Sequence, residues 1–366
     1  MGDLLIHAER QSVRRGVRLA AAALLGVVLA CGDGAGPRPA RSFLMGFSAF
    51  PPRQDTAIVV PAINYWTQRA DAAIIHASPP WAALVGGVSP ATAVDTVQVP
   101  LANYFRAKGL ALVFTVDATD GLNRAAEAPE LVALGRSVTD TAIQRLYREW
   151  VFAVANKVRP DYLGLVAETN LIRAAAPDSV YQALVVMANA VVAQIRAAAL
   201  PSRLYVSVQV ETAWGRLTPG DLYQGIAQDL ADFPFVDAIG LSSYPYLGGF
   251  ALPEDLPLDY YSRIVQGTTL PVLVVEGGWP SVTVGSVVST PALEARYLAR
   301  QAQLLGQARA RGVFQLTFYD LDLTGVTLPP GSILPLFTHL GLADSAMNAK
   351  PALASWDSVF ARPYRP

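Results

Sequence analysis

Several acidic side chains in this sequence stand directly behind short apolar runs. Asp117 closes Ala111-Leu-Val-Phe-Thr-Val116, Glu276 closes Val272-Leu-Val-Val275, and Asp320 follows Phe318-Tyr319. Glu168 sits in Leu165-Val-Ala-Glu168-Thr-Asn170, and Glu211 in Gln209-Val-Glu211-Thr-Ala-Trp214. An ionised carboxylate is costly to bury unless it is paired and hydrogen-bonded, so each of these must find a partner or a task. Two carboxyls facing one cleft can divide the labour of cleaving a glycosidic bond. One protonates the leaving oxygen; the other attacks the anomeric carbon or activates water. The structural alternatives are a rim ion pair for Glu276, a rim ion pair or support of Glu168 for Glu211, and loop capping for Asp117 and Asp320. Aromatic side chains lie behind the same runs (Trp81, Trp214, Tyr244, Tyr246, Trp279 and Tyr319), where they would stack on sugar faces. His76 ends a further run, Ile74-Ile75-His76, and faces either the same site or the interior beneath it.

Eight elements must carry these residues. The β-branched, apolar runs are Phe43–Phe50, Ala72–Ala77, Ala111–Asp117, Tyr162–Ala167, Leu204–Val210, Ala238–Ser242, Val272–Glu276 and Val313–Phe318. Many are continuous rather than alternating, as strands of a parallel sheet covered on both faces should be. Helical patterns separate them. Thr141-Ala-Ile-Gln144 reads as a capping box, followed by an apolar stripe of Ile143, Leu146, Tyr147, Trp150, Val151 and Val154. Thr218-Pro219 and Thr290-Pro291 each read as an N-cap before a first-turn proline, and Gly312 as a helix stop. The rhythm predicts an α/β fold, a single (β/α)8 TIM barrel over residues 43–366, with its chemistry on the loops beyond the strand C-termini. A doubly wound sheet is the alternative. It would prefer a glycine-rich phosphate turn after an early strand, and Met45-Gly-Phe-Ser-Ala-Phe-Pro-Pro52 has none.

Composition narrows the classes. The chain has 366 residues, 52% apolar and only 16% charged, which excludes a disordered protein. Charges nearly cancel, 28 basic against 29 acidic, so no basic excess exists to bind nucleic acid. One cysteine cannot form a disulfide within the chain. Three scattered histidines (His7, His76 and His339) do not make a typical zinc site. No metal or other cofactor is expected.

The N-terminus reads as an export signal. Arg10, Arg14, Arg15 and Arg18 precede the apolar run Leu19–Ala30, which is too short to span a bilayer. Val28-Leu29-Ala30-Cys31 resembles the lipobox of bacterial lipoproteins, with the only cysteine at the lipidated position. That resemblance implies a signal peptide over 1–30, a lipid anchor at Cys31 and a location at the bacterial cell envelope. An ordinary signal peptide is the alternative. Residues 31–42, rich in Gly, Pro and Arg, read as the lipidated cysteine and a flexible tether.

The order of the carboxylate segments resembles the retaining glycoside hydrolases built on (β/α)8 barrels, with an acid/base Glu after the fourth strand and a nucleophile Glu after the seventh. Glu276-Gly-Gly-Trp279-Pro-Ser281 resembles the nucleophile segment of plant-type β-1,3-glucanases. Asp237-Ala-Ile-Gly-Leu-Ser-Ser-Tyr244-Pro-Tyr246 resembles the sixth-strand segment of endo-β-1,4-galactanases. The tail Gly341-Leu-Ala-Asp344, with Lys350-Pro-Ala and Trp356 beyond it, is similar to the ending of such enzymes. The resemblance implies Glu168 as acid/base and Glu276 as nucleophile, with Tyr244 hydrogen-bonded to the latter. His76, Asp117, Asn170, Glu211, Trp214, Tyr244, Trp279 and Tyr319 would meet the carbohydrate, a galactan-like or glucan-like β-linked chain. Two positions depart from the pattern. The Asn that normally precedes the acid/base is Ala167, with an Asn instead at Asn170, and the eighth strand lacks the usual Trp. Retention requires an ionised Glu276, a protonated Glu168 and a separation of about 5–5.5 Å. The competing readings are a carbohydrate-binding lipoprotein on a degenerate barrel, and an envelope scaffold with no sugar-sized cleft.

Overall fold

The computed structural model describes residues 39–366 apart from 54, 218, 219 and 221. The expected signal segment, Cys31, most of the expected tether and the expected Thr218-Pro219 cap lie outside the described residues. Eight strands form the centre: β1 Leu44–Ser48, β2 Ala72–Ala77, β3 Ala111–Val116, β4 Tyr162–Gly164, β5 Arg203–Gln209, β6 Ala238–Ser243, β7 Val272–Gly277 and β8 Gly312–Gln315. Each pairs in parallel with its neighbours, and β1 pairs with both β2 and β8, closing the ring. The fold is the expected (β/α)8 barrel.

Two apolar layers hold it. Ile74, Val113, Tyr162, Tyr205, Leu273, Val275 and Phe314 fill the inside of the ring. The opposite strand faces pack under the helices, where Val272, Val274, Ile239 and Leu241 belong to one continuous core with helix residues such as Trp150, Leu184 and Leu304. Strands buried on both sides account for the unbroken apolar runs. Tyr205 is the largest plug. Its ring leaves no room for side chains on the adjoining strands: a Cβ on Gly164 would lie 2.5 Å from the ring, and one on Gly240 2.9 Å. The Tyr205 hydroxyl is within 2.5 Å of Thr115 Oγ1, so the buried polar tip is satisfied.

The long helices include Pro90–Ala107, Thr141–Ala153, Asp178–Ala197, Pro291–Gln307 and Pro351–Phe360. Ile143, Tyr147, Trp150 and Val151 form the buried stripe expected for the second of these. Its N-cap is Asp140 rather than Thr141, which is already helical and has no capping bond. Thr290 caps as expected, accepting from the Leu293 N–H at 3.3 Å. Gly312 is not a helix stop. That helix ends at Gln307, Arg309 takes the left-handed conformation (φ 49°), and Gly312 begins β8. The folded unit also takes in Arg41, two residues ahead of the expected start. Its guanidinium pairs with Asp71 at 2.7 Å and its N–H donates to the Pro363 carbonyl at 2.9 Å.

Candidate active site

A pocket of about 380 Å³ opens at the C-terminal end of the barrel. Every strand end contributes to it: Phe50 beyond β1, His76 on β2, Asp117 beyond β3, Glu168 beyond β4, Gln209 on β5, Tyr244 beyond β6, Glu276 on β7 and Thr317 beyond β8. The loops after β3 and β8 supply Leu122 and Arg124, and Ile333, Leu334 and Phe337.

Glu276 reaches the pocket through a break in the β6–β7 ladder. Leu241 pairs with Val274, but Ser242 pairs with Glu276, so Val275 is an extra residue on β7. Leu273 and Val275 point into the barrel. Strict alternation would therefore turn Glu276 outward, and the bulge re-aims it. Glu168 arrives by a different irregularity. The chain leaves the β4 ladder after Gly164, earlier than the sequence pattern suggests, and Glu168 takes the left-handed conformation at φ 49° and ψ 49°. Its N–H donates to Ser207 Oγ at 2.9 Å. A non-glycine residue held there costs about 1–3 kcal/mol, and such residues cluster at functional sites.

Ser242 joins the two carboxyls. Its Oγ lies 2.6 Å from Glu168 Oε1 and 2.6 Å from Glu276 Oε1. Two such legs meeting at one atom put those oxygens at most twice 2.6 Å, or about 5.2 Å, apart. A hydroxyl carries one hydrogen, so satisfying both contacts requires a proton on one carboxyl. Burial, and then the charge of Glu168, push the Glu276 carboxyl up to about 8. Glu168 meets a cation instead: Arg124 Nε donates to its Oε2 at 2.8 Å, while Arg124 Nη1 donates to Asp117 at 2.6 Å and to Thr119 Oγ1 at 3.1 Å. Burial alone would weaken the Arg124 charge, but Asp117 and Glu168 outweigh it and hold the guanidinium protonated. Burial and the charge of Glu168 thus favour the protonated form of Glu276, while the resemblance in the sequence implies an ionised Glu276 as nucleophile.

His76 also faces Glu276, with Nδ1 3.9 Å from Oε2. Burial lowers this imidazole to about 4, so it is neutral at physiological pH. Its Nε2 is buried without a partner among the described residues, as is Thr317 Oγ1 across the pocket. Tyr244 lines the wall against Phe337. Its hydroxyl bonds no described residue, so Ser242, not Tyr244, holds Glu276.

The other sequence candidates are elsewhere. Asn170 is buried with both amide ends occupied by the Gln209 backbone at 2.8 Å, which locks the Glu168 turn to β5. Glu211 is fully buried beneath the site, accepting from Tyr260 Oη at 2.7 Å and the Tyr244 N–H at 3.1 Å, and burial pushes it up to about 7. Trp214 stacks on Tyr260 and donates to its carbonyl at 3.0 Å. Trp279 is 1% exposed, bonded to Ser289 and packed on Tyr297. Tyr319 is fully buried with its hydroxyl on the Ala62 carbonyl at 3.0 Å. Each has an aromatic face committed to the core, not to a ligand. Asp320 is clasped by Lys350 at 2.8 Å. Sequence reasoning missed Arg124 and the bridging role of Ser242. Arg124 rides on a short antiparallel hairpin, Thr119–Asp120 with Asn123–Glu127, whose available signal was the Asp120-Gly121 turn.

The arrangement defines a (β/α)8 barrel with a buried carboxyl pair, one bridging hydroxyl and one arginine at its C-terminal mouth. Comparison with protein-family models and with curated sequences found no match to this chain. Among solved structures it is similar to the exo-β-1,4-mannosidase Op5Man5 from Opitutaceae bacterium strain TAV5, with TM-score 0.60, 15% identity, and coverage of 88% of this chain and 59% of that one. It is similar to GH5_18 from Streptomyces cattleya in complex with GlcNAc, with TM-score 0.62, 15% identity, and coverage of 90% and 83%. A third is xylanase 10B from Thermotoga petrophila RKU-1 in complex with xylobiose, with TM-score 0.57, 12% identity, and coverage of 87% and 94%. At these identities the likeness establishes a shared barrel fold. The galactanase and glucanase likenesses rest on the short segments alone.

Proposed function

We propose that this protein is a retaining glycoside hydrolase acting on a β-linked sugar, with Glu168 and Glu276 as its two carboxyls. The observation that carries the reading is the Ser242 bridge. Bridging oxygens no more than about 5.2 Å apart are compatible with the close pair of a retaining enzyme, roughly 5–5.5 Å, and are nearer than the 6.5–9.5 Å that leaves room for an inverting water. The single shared proton meets the other requirement, one acid and one nucleophile. Tyr244 lines the pocket and its hydroxyl bonds no described residue, so it is available to a sugar hydroxyl, while His76 Nε2 and Thr317 Oγ1 are buried beside it. The mannosidase and xylanase folds named above are consistent with this chemistry.

In the first assignment Glu276 attacks the anomeric carbon and Glu168 protonates the leaving oxygen. The proton then passes from Glu276 to Glu168 through the Ser242 hydroxyl as substrate binds. A second assignment is favoured by the Arg124 contact: Glu168 stays ionised and attacks, and Glu276 is the acid. A 2-deoxy-2-fluoro β-glycoside decides by mass spectrometry of the trapped protein. A label on Glu276 supports the first assignment and a label on Glu168 the second. No trapped ester from any of a panel of β-gluco-, galacto-, manno- and xylosides, with full turnover in Glu168→Gln or Glu276→Gln, defeats both. Sugar binding without turnover returns the protein to a binding role. The reading extends to export and anchoring through Cys31: Cys31→Ser is expected to leave the membrane fraction, and retention there refutes the anchor.

A further inference from the structure

The wall of the pocket is made of the wrong material for a polysaccharide. Its polar groups lie on the floor, and most are committed: Asp117 and Glu168 to Arg124, and the Gln209 side chain to Glu211 and the Thr212 N–H. The mouth above them is apolar and mostly aliphatic. Leu122, Leu171, Leu217, Leu247, Ile333 and Phe337 surround it, from the loops after β3, β4, β5, β6 and β8. Leu122, Leu217 and Ile333 are 38%, 37% and 42% exposed, and Phe50, also lining the mouth, is 42% exposed. Large apolar side chains are ordinary when scattered, but a contiguous exposed set around a pocket marks a binding surface. A bound oligosaccharide would bring hydroxyls against these side chains, where they lose water without gaining a partner. The Trp279 and Tyr319 rings are buried in the core and the half-buried Trp214 ring is covered by Tyr260 and Arg263, which leaves Phe50, Tyr244 and Phe337 as the aromatic part of the lining.

We propose that the substrate is a β-glycoside with an apolar aglycone: one sugar on the polar floor at the carboxyl pair, and an alkyl or similarly apolar group leaving along the apolar mouth. This rests on the glycosidase reading and specifies its leaving group. The volume agrees. About 380 Å³ is near the lower end of small-molecule sites, roughly 300–1,000 Å³, and suits a single sugar with a compact aglycone more than several linked sugars.

The test uses the whole protein and two series of probes. Methyl, propyl and hexyl 1-thio-β-glycosides of glucose, galactose, mannose and xylose report binding by calorimetry without turnover, and the O-glycosides of the same alcohols report kcat/KM. Affinity is expected to rise roughly fourfold per added CH₂ until the mouth is filled, from about 0.8 kcal/mol per buried methylene, with kcat/KM rising in parallel and exceeding that for the corresponding disaccharides. In Leu122→Ser/Ile333→Ser the slope with chain length flattens, while Val186→Ser, exposed on a remote helix, keeps it. A diacylglycerol β-glycoside in phosphatidylcholine vesicles separates a lipid-borne aglycone from a soluble one. Hydrolysis with a flat or falling slope overturns the aglycone assignment and leaves the hydrolase standing. A rising slope in binding with no hydrolysis keeps the apolar subsite and removes the hydrolase. No binding by any alkyl glycoside overturns the proposal.

Discussion

Removing the positive charge of Arg124 is the sharpest perturbation available at this site. The side chain is 6% exposed and contacts Asp117 at 2.6 Å and Glu168 at 2.8 Å. Arg124→Met keeps most of the volume and strands two carboxylates. Breaking a buried pair by deleting one partner costs about 3–5 kcal/mol, because the remaining charge loses its compensation. Unfolding entropy near 2.1 cal/mol/K per residue over roughly 330 residues gives about 0.7 kcal/mol/K, so Tm is expected to fall by about 4–7 °C at pH 7. Calorimetry measures it directly. The same substitution in a Glu168→Gln background should cost distinctly less, since one of the stranded charges is gone. Arg124 also draws the Glu276 carboxyl down from where burial and Glu168 would put it, so the alkaline limb of activity set by that proton is expected to move up from about 8. A shift in Tm under 1 °C, or an equal shift in the Glu168→Gln background, would refute the claim that Arg124 holds these carboxylates.

Stability is expected to fall with rising pH between about 6.5 and 8. Burial raises Glu211 to about 7 and Glu276 to about 8, and burial near Lys350 leaves Glu294 at about 8. The folded protein keeps protons there that the unfolded chain has already released near 4.5, so their contribution is complete below about 4.5 and is lost progressively until pH passes 7 for Glu211 and 8 for Glu276 and Glu294. His76, lowered to about 4, acts oppositely below 6.5, where the unfolded chain binds the proton and the folded one does not. Urea midpoints at pH 6.5 and 8 check the sign; a higher midpoint at pH 8 contradicts it. Asn170→Ala should lower stability by roughly 1–3 kcal/mol, the cost of stranding buried backbone groups, and lower kcat through the Glu168 turn with little change in KM. A large rise in KM with unchanged stability would return Asn170 to the substrate.

The strands were legible because a parallel barrel buries both faces, so Val272–Val275 had to be apolar throughout. That same continuity hid direction. Nothing in Val-Leu-Val-Val-Glu says which way Glu276 points, and the regular period gives the wrong answer; the bulge at Val275 supplies the right one. Aromatic type was equally ambiguous. Trp279 and Tyr319 stand just behind strands, as sugar platforms do, but a large ring beside a helix layer serves packing as well, and their polar tips found Ser289 and the Ala62 carbonyl. Arg124 was invisible for the opposite reason: its strand is five residues of Asn-Arg-Ala-Ala-Glu, with no apolar period to mark it. Long-range pairings of this kind follow from where a loop folds back, not from the local pattern that names helices and strands.

The two carboxyls meet through separate departures from regular backbone. The extra residue on β7 turns Glu276 inward, and the left-handed turn after β4 swings Glu168 toward it. The bulge leaves one residue out of the ladder, the left-handed turn carries a cost to folding, and bringing two carboxyls together adds another, since one must keep its proton. An envelope scaffold would gain nothing from either and has no need of a cleft; regular alternation would have left Glu276 outside the ring. The Ser242 bridge and the Arg124 clamp offset that cost without removing the pair from the open pocket, as a site built to hold one proton between two oxygens requires. Selection for stability alone would favour apolar residues at both positions, so the retained strain is the argument for chemistry there.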